Sequence, residues 1–209
     1  MSFLIKISIL DTSFFDDNEI DGFVKALPFG SAEKDRLSGI KNKRSYKSSA
    51  AALMALSLIV EEDTPMSIER TSLGKPFFPH APHLKFSLSH SYGLAIAVLD
   101  DSGNDIGVDV EFIRENFDTR KIATRFFGNT DMSDDDFFAL WTKKEAYSKM
   151  LGAPLAPNLK ETPDENIFKQ FKITFNGKEG YICICSKELE KQKDVSMLHR
   201  PDKMLIEEI

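Results

Sequence analysis

The chain has 209 residues, of which 42% are hydrophobic and 29% charged, as expected for a globular protein of one large or two small domains. Its net charge of -6 argues against general nucleic-acid binding, which depends on Lys and Arg neutralising phosphates. The N-terminus lacks the features of a signal peptide, and the longest strongly apolar stretch, 50–60, is too short to span a bilayer. We therefore expect a cytoplasmic protein without nucleic-acid or membrane partners.

The only two cysteines, Cys183 and Cys185, are separated by one residue in an apolar segment. If the segment is a strand, the two side chains face the same way, and strand geometry does not favour a disulfide between them. Two cysteines are also too few for a four-sulfur zinc site. Reduced thiols packed in a sheet are the expected state.

The first half of the chain alternates between helical and strand patterns. Apolar residues at every second position from Phe3 to Ile9 predict a strand with one buried face. Pro28 ends the predicted helix over 17–27. The Ala- and Leu-rich segment 48–60 is the clearest helix. The predicted elements are a strand over 3–9, helices over 17–27 and 31–62 with a break at Gly39, and strands over 84–88 and 93–99, the last two separated by a turn over 89–92.

The second half repeats this mixture of elements. Asn176-Gly177 is a strong hairpin signal between two apolar segments, whereas the pattern of the tail from 188 to 209 assigns no element. The layout predicts an α+β fold with a division between 1–103 and 104–209. The predicted elements are a strand over 105–111, helices over 119–127 and 133–151, and strands over 171–175 and 180–185.

A first acidic motif lies at 107–111, Gly-Val-Asp-Val-Glu. In a strand, Asp109 and Glu111 share one face while the two valines point into the core. Two neighbouring carboxylates repel each other, and Mg²⁺, which prefers hard oxygen ligands, would remove that cost. On this pair alone, an amphipathic edge strand with a solvated acidic face is the simpler interpretation.

A second motif lies at 141–149, Trp-Thr-Lys-Lys-Glu-Ala-Tyr-Ser-Lys. Glu145 and Lys149 are neighbours on one helix face, because positions i and i+4 adjoin. The simpler interpretation is a surface ion pair worth about 0.3–0.5 kcal/mol. The functional interpretation places Glu145 on the metal and Lys149 on a phosphate.

Three further segments offer anion-binding groups. Ser89 and His90 lie at a predicted strand-to-turn junction, which can hold a phosphate or can simply cap its own turn. Arg44 belongs to a basic cluster with Lys41, Lys43 and Lys47, just after Lys34 and Arg36, that is either an anion site or a solvated helix face. Lys75 lies in a Gly-Lys-Pro turn without the glycine spacing of a P-loop.

Together these segments resemble 4′-phosphopantetheinyl transferases of the Sfp type. The family hallmark is a Gly-(Ile/Val)-Asp-x-Glu strand followed, some thirty to forty residues later, by a (Trp/Phe)-(Ser/Thr)-x-Lys-Glu-(Ala/Ser)-x-x-Lys helix. Both occur here, after the Gly-Lys-Pro element at 74–76 and the Ser-His-Ser element at 89–91. The chain departs from the family pattern after Arg125-Phe126-Phe127 and at 152–155, where Gly-Ala-Pro-Leu replaces Gly-x-Gly-Leu.

The resemblance implies transfer of the phosphopantetheine arm of coenzyme A to a serine of an apo acyl, peptidyl or aryl carrier protein, with release of 3′,5′-ADP. It implies a Mg²⁺ site and phosphate-binding groups, with Glu145 also the candidate base for the carrier serine, directly or through water. The implied metal ligands are Asp109, Glu111 and Glu145. The implied coenzyme A contacts are Lys149 at the pyrophosphate, Ser89 and His90 at phosphates, Arg44 at the 3′-phosphate, and Lys75 at the adenine edge or a phosphate.

Larger members of that family are pseudodimers of two similar α+β halves with coenzyme A at the seam, so the resemblance implies that architecture and a monomer. Two alternatives remain at this point. One is a non-catalytic coenzyme A or carrier-protein binding module. The other is a Mg²⁺-dependent phosphohydrolase, which explains the carboxylates but not the Gly-Lys-Pro and Ser-His-Ser segments.

Overall fold

The structure is a computed structural model that describes residues 4–27, 29–61, 64, 67–128, 131–158, 163–187, 189 and 194–209. Phe3 and Pro28, which contribute to two of the predicted boundaries, lie outside these residues. In the described part, no helix is long and apolar enough to cross a membrane.

The first half begins with a strand and continues through three helices to a hairpin. Asp16 and Glu19 form a reciprocal capping box at the start of the first helix, and the Asn42 side chain caps the third. The elements are β1 (Leu4–Asp11), α1 (Asp17–Ala26), α2 (Ser31–Ser38), α3 (Lys43–Ser57), β2 (Glu69–Arg70), β3 (Pro76–Phe77), β4 (Lys85–Ser91) and β5 (Leu94–Asp100).

The second half has the same kinds of element. Asn176 and Gly177 both adopt positive φ angles, as expected for the hairpin turn that their sequence predicts. Ser133 caps the long helix, and Gly152 ends it in the left-handed conformation. The elements are β6 (Ile106–Phe112), α4 (Thr119–Phe127), α5 (Asp134–Leu151), α6 (Leu155–Asn158), β7 (Phe168–Phe175), β8 (Lys178–Ser186), β9 (Asp194–His199) and β10 (Leu205–Glu208).

The two halves share a topology. In the first, the β4–β5 hairpin pairs through β5 with β1, and in the second, the β7–β8 hairpin pairs through β8 with β6, antiparallel throughout. The sheet orders are β4-β5-β1-β9 and β10-β7-β8-β6. Strand, long helix and hairpin therefore recur in the same order, and the α+β prediction is confirmed.

The two sheets share one apolar core, and helices cover their outer faces. Ile5, Ile7 and Ile9 of β1 pack in the same cluster as Val108 and Val110 of β6. On the other face of the first sheet, α3 and β5 contribute to a second cluster, and α5 packs on the outer face of the second sheet. The predicted inward faces of β1 and β6 are therefore confirmed.

Two details differ from the sequence expectations. The segment 89–91 is part of β4 rather than a turn, because pairing with β5 continues to Ser91 opposite Leu94. The described part of the tail contains the strands β9 and β10, and β9 pairs in parallel with β1 in the first sheet. Since the second half contributes a strand to the first sheet, the division into 1–103 and 104–209 stays a prediction.

Candidate active site

The site lies where the edge strands β4 and β6 of the two sheets meet. Alternate residues of β4 present hydroxyls to β6: Ser87 Oγ accepts the Val108 N–H at 3.0 Å, and Ser89 Oγ accepts the Val110 N–H at 3.3 Å. We call Ser87, Ser89 and Ser91 the serine ladder. It satisfies backbone donors that an edge strand would otherwise leave unpaired.

Gly107 allows α5 to lie directly against β6. A Cβ atom at this position would stand 2.0 Å from the carbonyl oxygen of Ala146 and 2.5 Å from the amide nitrogen of Met150. Only glycine permits this approach. The glycine of the first motif therefore brings the helix of the second motif, with Glu145 and Lys149, beside the two carboxylates of the strand.

Asp109 is at the centre of the contacts. The residue is 4% exposed, and its Oδ1 accepts hydrogen bonds from Ser89 Oγ at 2.8 Å and from Lys149 Nζ at 2.8 Å. Lys149 Nζ also donates to Ser89 Oγ at 2.9 Å. The other carboxylate oxygen, Oδ2, is buried without a hydrogen-bond partner. A solvated acidic strand face, the simpler interpretation of this motif, is therefore wrong for Asp109.

Glu111 lies two residues further along the same face. Its Oε2 accepts a hydrogen bond from Ser91 Oγ at 3.1 Å and forms an ion pair with Arg114 Nη2 at 2.6 Å. The serine ladder therefore contacts both carboxylates of the strand as well as its backbone.

Glu145 faces these carboxylates from α5. Burial raises its pKa from 4.5 to about 7, and the nearby negative charge of Asp109 adds to this, while Lys149 acts in the opposite direction. Lys149 forms its ion pair with Asp109 of β6. The simpler interpretation, a surface ion pair between Lys149 and Glu145 along the helix, therefore does not account for its position. The crowding of negative charge is what a bound cation would relieve.

A divalent cation is compatible with this donor set. Asp109, Glu111 and Glu145 offer only hard carboxylate oxygens, and the unpartnered Oδ2 of Asp109 is the kind of buried acceptor that a cation would satisfy. Within the described residues, no three His, Cys, Asp or Glu side chains are already grouped as around a metal ion. The metal assignment of the three residues therefore remains a prediction.

Two adjoining cavities share Glu145, Lys149 and Arg70 in their walls. One, of about 310 Å³, is lined by Asp109, Glu111, Ser89 and His90, and the other, of about 280 Å³, extends past Lys75 and Gly152. Their combined size is within the range of small-molecule and cofactor sites. The structure thus brings together, around one cleft, all of the predicted site residues except Arg44.

His90 and Lys75 line the cleft in different ways. His90 lies on β4 in the cavity wall, and its Nε2 lies 3.4 Å from Ser49 Oγ. Desolvation of the ring, and next the charge of Lys149, lower its pKa. Lys75 Nζ donates to Asp105 at 2.6 Å and to the Met150 carbonyl at 2.5 Å. Lys75 therefore already ties the first half to the end of α5, and its ligand contact stays a prediction.

Arg44 is placed elsewhere. It is exposed at the start of α3, and its guanidinium lies 5.8 Å from the centre of the Tyr92 ring. Neither cavity includes it in its wall. Two other arginines, Arg36 and Arg70, line the 310 Å³ cavity instead. In the sequence, Arg36 was noted only as part of the basic cluster, and Arg70 was not singled out although it lies four residues before the Gly-Lys-Pro element.

Comparisons with known proteins agree with this geometry. Residues 105–198 match the family model described as the 4′-phosphopantetheinyl transferase superfamily. A 4′-phosphopantetheinyl transferase of Bacillus subtilis is 34% identical over 93 residues, 40% of either chain. The 4′-phosphopantetheinyl transferase Sfp of B. subtilis strain 168 is 29% identical over 150 residues, 60% of this chain and 65% of that protein.

A third relative, the 4′-phosphopantetheinyl transferase HetI of Nostoc sp. strain PCC 7120, is 36% identical over 83 residues, 35% of each chain. The chain thus matches between about one third and two thirds of the length of these three relatives. The matched segment contains β6 and α5, which carry the three carboxylates and Lys149. The resemblance read from the motifs is confirmed, because both acidic motifs lie within the segment 105–198 that matches the model of the 4′-phosphopantetheinyl transferase superfamily.

Proposed function

We propose that the protein transfers the phosphopantetheine group of coenzyme A to a serine of an apo carrier protein, with Mg²⁺, and releases 3′,5′-ADP. The names of its relatives support the transferase class. The size of the cleft and the charged groups in its wall support coenzyme A as the donor. We further propose that it acts as a monomer in the cytoplasm. Two observations favour this: both halves of the chain contribute residues to the cavity that holds the carboxylates, as a pseudodimer requires, and both cysteines are buried and unpaired.

The observation that carries the proposal is the meeting of four groups from distant parts of the chain. Asp109 and Glu111 come from β6, Glu145 and Lys149 come from α5, and all four line one cavity. Three carboxylates beside one ammonium suit a cation-bound diphosphate, whose charge is neutralised from two sides. A surface ion pair or a solvated strand needs no such enclosure.

In the proposed reaction, the serine oxygen of the carrier attacks the phosphorus that bears the pantetheine arm. The bond from that phosphorus to the bridging oxygen breaks, and the bridging oxygen leaves as part of 3′,5′-ADP. The serine proton passes to Glu145, directly or through water.

The other residues bind and orient. Lys149 neutralises the diphosphate, and its bonds to Asp109 and Ser89 hold its ammonium group at the cavity wall. Asp109, Glu111 and Glu145 would hold Mg²⁺, which when bound supplies charge stabilisation to the diphosphate oxygens. The serine ladder keeps β4 against β6, so that the carboxylates and the phosphate-binding groups of β4 stay aligned.

The decisive experiment incubates the protein with coenzyme A, Mg²⁺ and a panel of apo carrier proteins, followed by intact-mass measurement. Transfer adds about 340 Da to the carrier, one phosphopantetheine group in a phosphodiester linkage. Asp109→Ala and Glu145→Ala serve as inactive controls after their folding has been checked by circular dichroism.

Other outcomes point to other functions. An unmodified carrier with intact coenzyme A indicates a binding module without catalysis. Consumption of coenzyme A without a labelled carrier indicates a phosphohydrolase. Turnover like that of the unmodified protein in either alanine variant would disprove the metal assignment.

A further inference from the structure

The two carboxylates of β6 are held in the same way, each through one oxygen. Asp109 Oδ1 is bonded by one serine of the serine ladder and by Lys149 Nζ, both at 2.8 Å. Glu111 Oε2 accepts from Ser91 Oγ at 3.1 Å and from Arg114 Nη2 at 2.6 Å. Each carboxylate therefore has a ladder serine and a basic side chain on the same oxygen.

The second oxygen of each carboxylate is left for another partner. Asp109 Oδ2 is buried without a hydrogen-bond partner, and within the described part of the chain no hydrogen bond reaches Glu111 Oε1. Both residues line the 310 Å³ cavity. Carboxylates that bind a metal are themselves held in place by hydrogen bonds from residues around them. Lys149 is in such a position beside Asp109, and Arg114 has the corresponding position beside Glu111.

Arg114 is fixed on its other side by two aromatic rings. Its guanidinium carbon lies 5.2 Å from the centre of the Phe117 ring and 5.9 Å from the centre of the Phe138 ring. Phe138 is 1% exposed, and both rings belong to one apolar cluster that includes residues of α4 and α5. A planar guanidinium group stacks well on aromatic rings. Arg114 therefore donates to Glu111 from a defined position.

The simpler account of Arg114 is an ordinary surface ion pair. Its side chain is 46% exposed, and pairs of this kind contribute little to the free energy of unfolding. The Glu111 side chain, however, is only 18% exposed, and its bonded oxygen is shared with Ser91. Arg114 also follows the end of β6 and precedes α4, so helix geometry does not impose its contact with Glu111.

We propose that Arg114 is a positioning residue of the cation site, which holds Glu111 so that Oε1 stays available to Mg²⁺. The inference rests on the proposed function, in which Glu111 is a metal ligand. Without Arg114, the Glu111 carboxylate is free to turn away from the negative charge of Asp109, because like charges repel. Loss of a contact that holds a ligand typically lowers metal affinity about 10- to 100-fold.

The charge of Arg114 has the opposite effect on a cation, and this gives the test its sign. If charge alone mattered, removing the guanidinium group would strengthen Mg²⁺ binding, because the two cations repel each other. The side chain is nearly half exposed, so water and salt screen this repulsion. We therefore expect the loss of orientation to outweigh the relief of repulsion.

The test follows the melting temperature during a titration with Mg²⁺ alone, without coenzyme A, at an ionic strength held constant with NaCl. The dissociation constant follows from the rise in melting temperature, because a ligand that binds only the folded state stabilises it. Arg114→Met should raise the dissociation constant about 10- to 100-fold. Arg114→Lys keeps the charge and a single donor but not the planar stack, so it should recover part of the loss.

Arg125 provides a matched control. Its guanidinium carbon lies 5.0 Å from the centre of the Phe126 ring, and the structure gives it no ion pair with a described residue. Arg125→Met removes the same charge and the same kind of aromatic contact, so it should leave the Mg²⁺ dissociation constant unchanged. In a Glu111→Ala background, Arg114→Met should have no further weakening effect, because the carboxylate that it positions is absent.

Several outcomes would overturn the proposal. They are an unchanged or stronger Mg²⁺ affinity in Arg114→Met, an equal loss in Arg125→Met, and a melting temperature of the unmodified protein that does not respond to Mg²⁺. If Arg114→Met does not fold, Ser91→Ala decides the question, because it removes the other donor to the same oxygen of Glu111. Ser91→Ala should also weaken Mg²⁺ binding, and an unchanged affinity would contradict the positioning of Glu111.

The result is separable from that of carrier labelling. If no carrier is labelled but the Mg²⁺ affinity depends on Arg114, the positioning role stands and the transferase proposal fails. If carriers are labelled and Arg114→Met needs no more Mg²⁺ than the unmodified protein for half of its maximal labelling rate, the transferase proposal stands and the positioning role is wrong.

Discussion

Replacing Gly107 by Ala tests whether the close approach of α5 to β6 creates the site. The added methyl carbon would lie 2.0 Å from the Ala146 carbonyl oxygen. An unstrained carbon-to-oxygen contact is about 3.3 Å or longer, so the helix and strand must separate by roughly 1.3 Å near this point. The backbone atoms involved cannot rotate away as a flexible side chain would.

The separation has two measurable consequences. Overpacking of this kind costs about 1–3 kcal/mol of unfolding free energy. It also stretches the 2.8 Å contact between Lys149 Nζ and Asp109 Oδ1 beyond hydrogen-bonding distance. Since a misplacement of about 1 Å in a catalytic group can reduce a rate about 100-fold, we expect a loss of that size in carrier labelling.

The assay combines denaturant unfolding with the initial rate of carrier labelling at saturating coenzyme A. Gly22→Ala is the control, because nothing lies within 4 Å of its added methyl group and it is inside α1. That substitution should stabilise the protein by about 0.5–1 kcal/mol without affecting the rate. A Gly107→Ala variant with unchanged stability and rate would refute the packing argument.

Three further substitutions address the site. Ser89→Ala should cost about 1–3 kcal/mol of unfolding free energy, because the Val110 N–H and Asp109 lose a buried partner. The control, Ser38→Ala at an exposed position, should change the unfolding free energy little. Equal losses in the two variants would contradict a stabilising role for the contacts of the serine ladder. The pKa of Glu145 is raised from 4.5 in the unfolded chain to about 7 in the fold, so its contribution to stability is full below pH 4.5 and is lost as the pH rises through 7. Without divalent ions, the melting temperature of Glu145→Gln should therefore be higher than that of the unmodified protein at about pH 8 and equal to it at about pH 4. A difference in melting temperature that does not change with pH would show that burial does not perturb the pKa of Glu145. Lys149→Ala should lower both the labelling rate and the melting temperature, because the Asp109 carboxylate loses its ion pair with the Lys149 ammonium group. Added Mg²⁺ should restore the melting temperature of this variant but not its labelling rate. A melting temperature that stays low with Mg²⁺ would argue against Asp109 as a metal ligand.

Local patterns predicted the elements that carry the site. The alternation around Asp109 and the helical spacing of Glu145 and Lys149 depend on the geometry of a single strand or helix, and both elements have the expected faces. The predicted turn over 89–92 is wrong for 89–91, because pairing with β5, a neighbour in space, extends the strand to Ser91. The strands of the tail were missed because β9 gains its partner from β1, at the other end of the chain.

The sequence alone determined the α+β class, the two acidic motifs and the resemblance that joins them, because each depends on side-chain spacing within one element. Only the tertiary structure decided which groups share a cleft. The contacts of Ser89 with Lys149 and of Glu33 with Arg70 join residues 60 and 37 positions apart. Such contacts follow from how two sheets and their helices pack, and no local pattern near Arg70 or Glu33 encodes them.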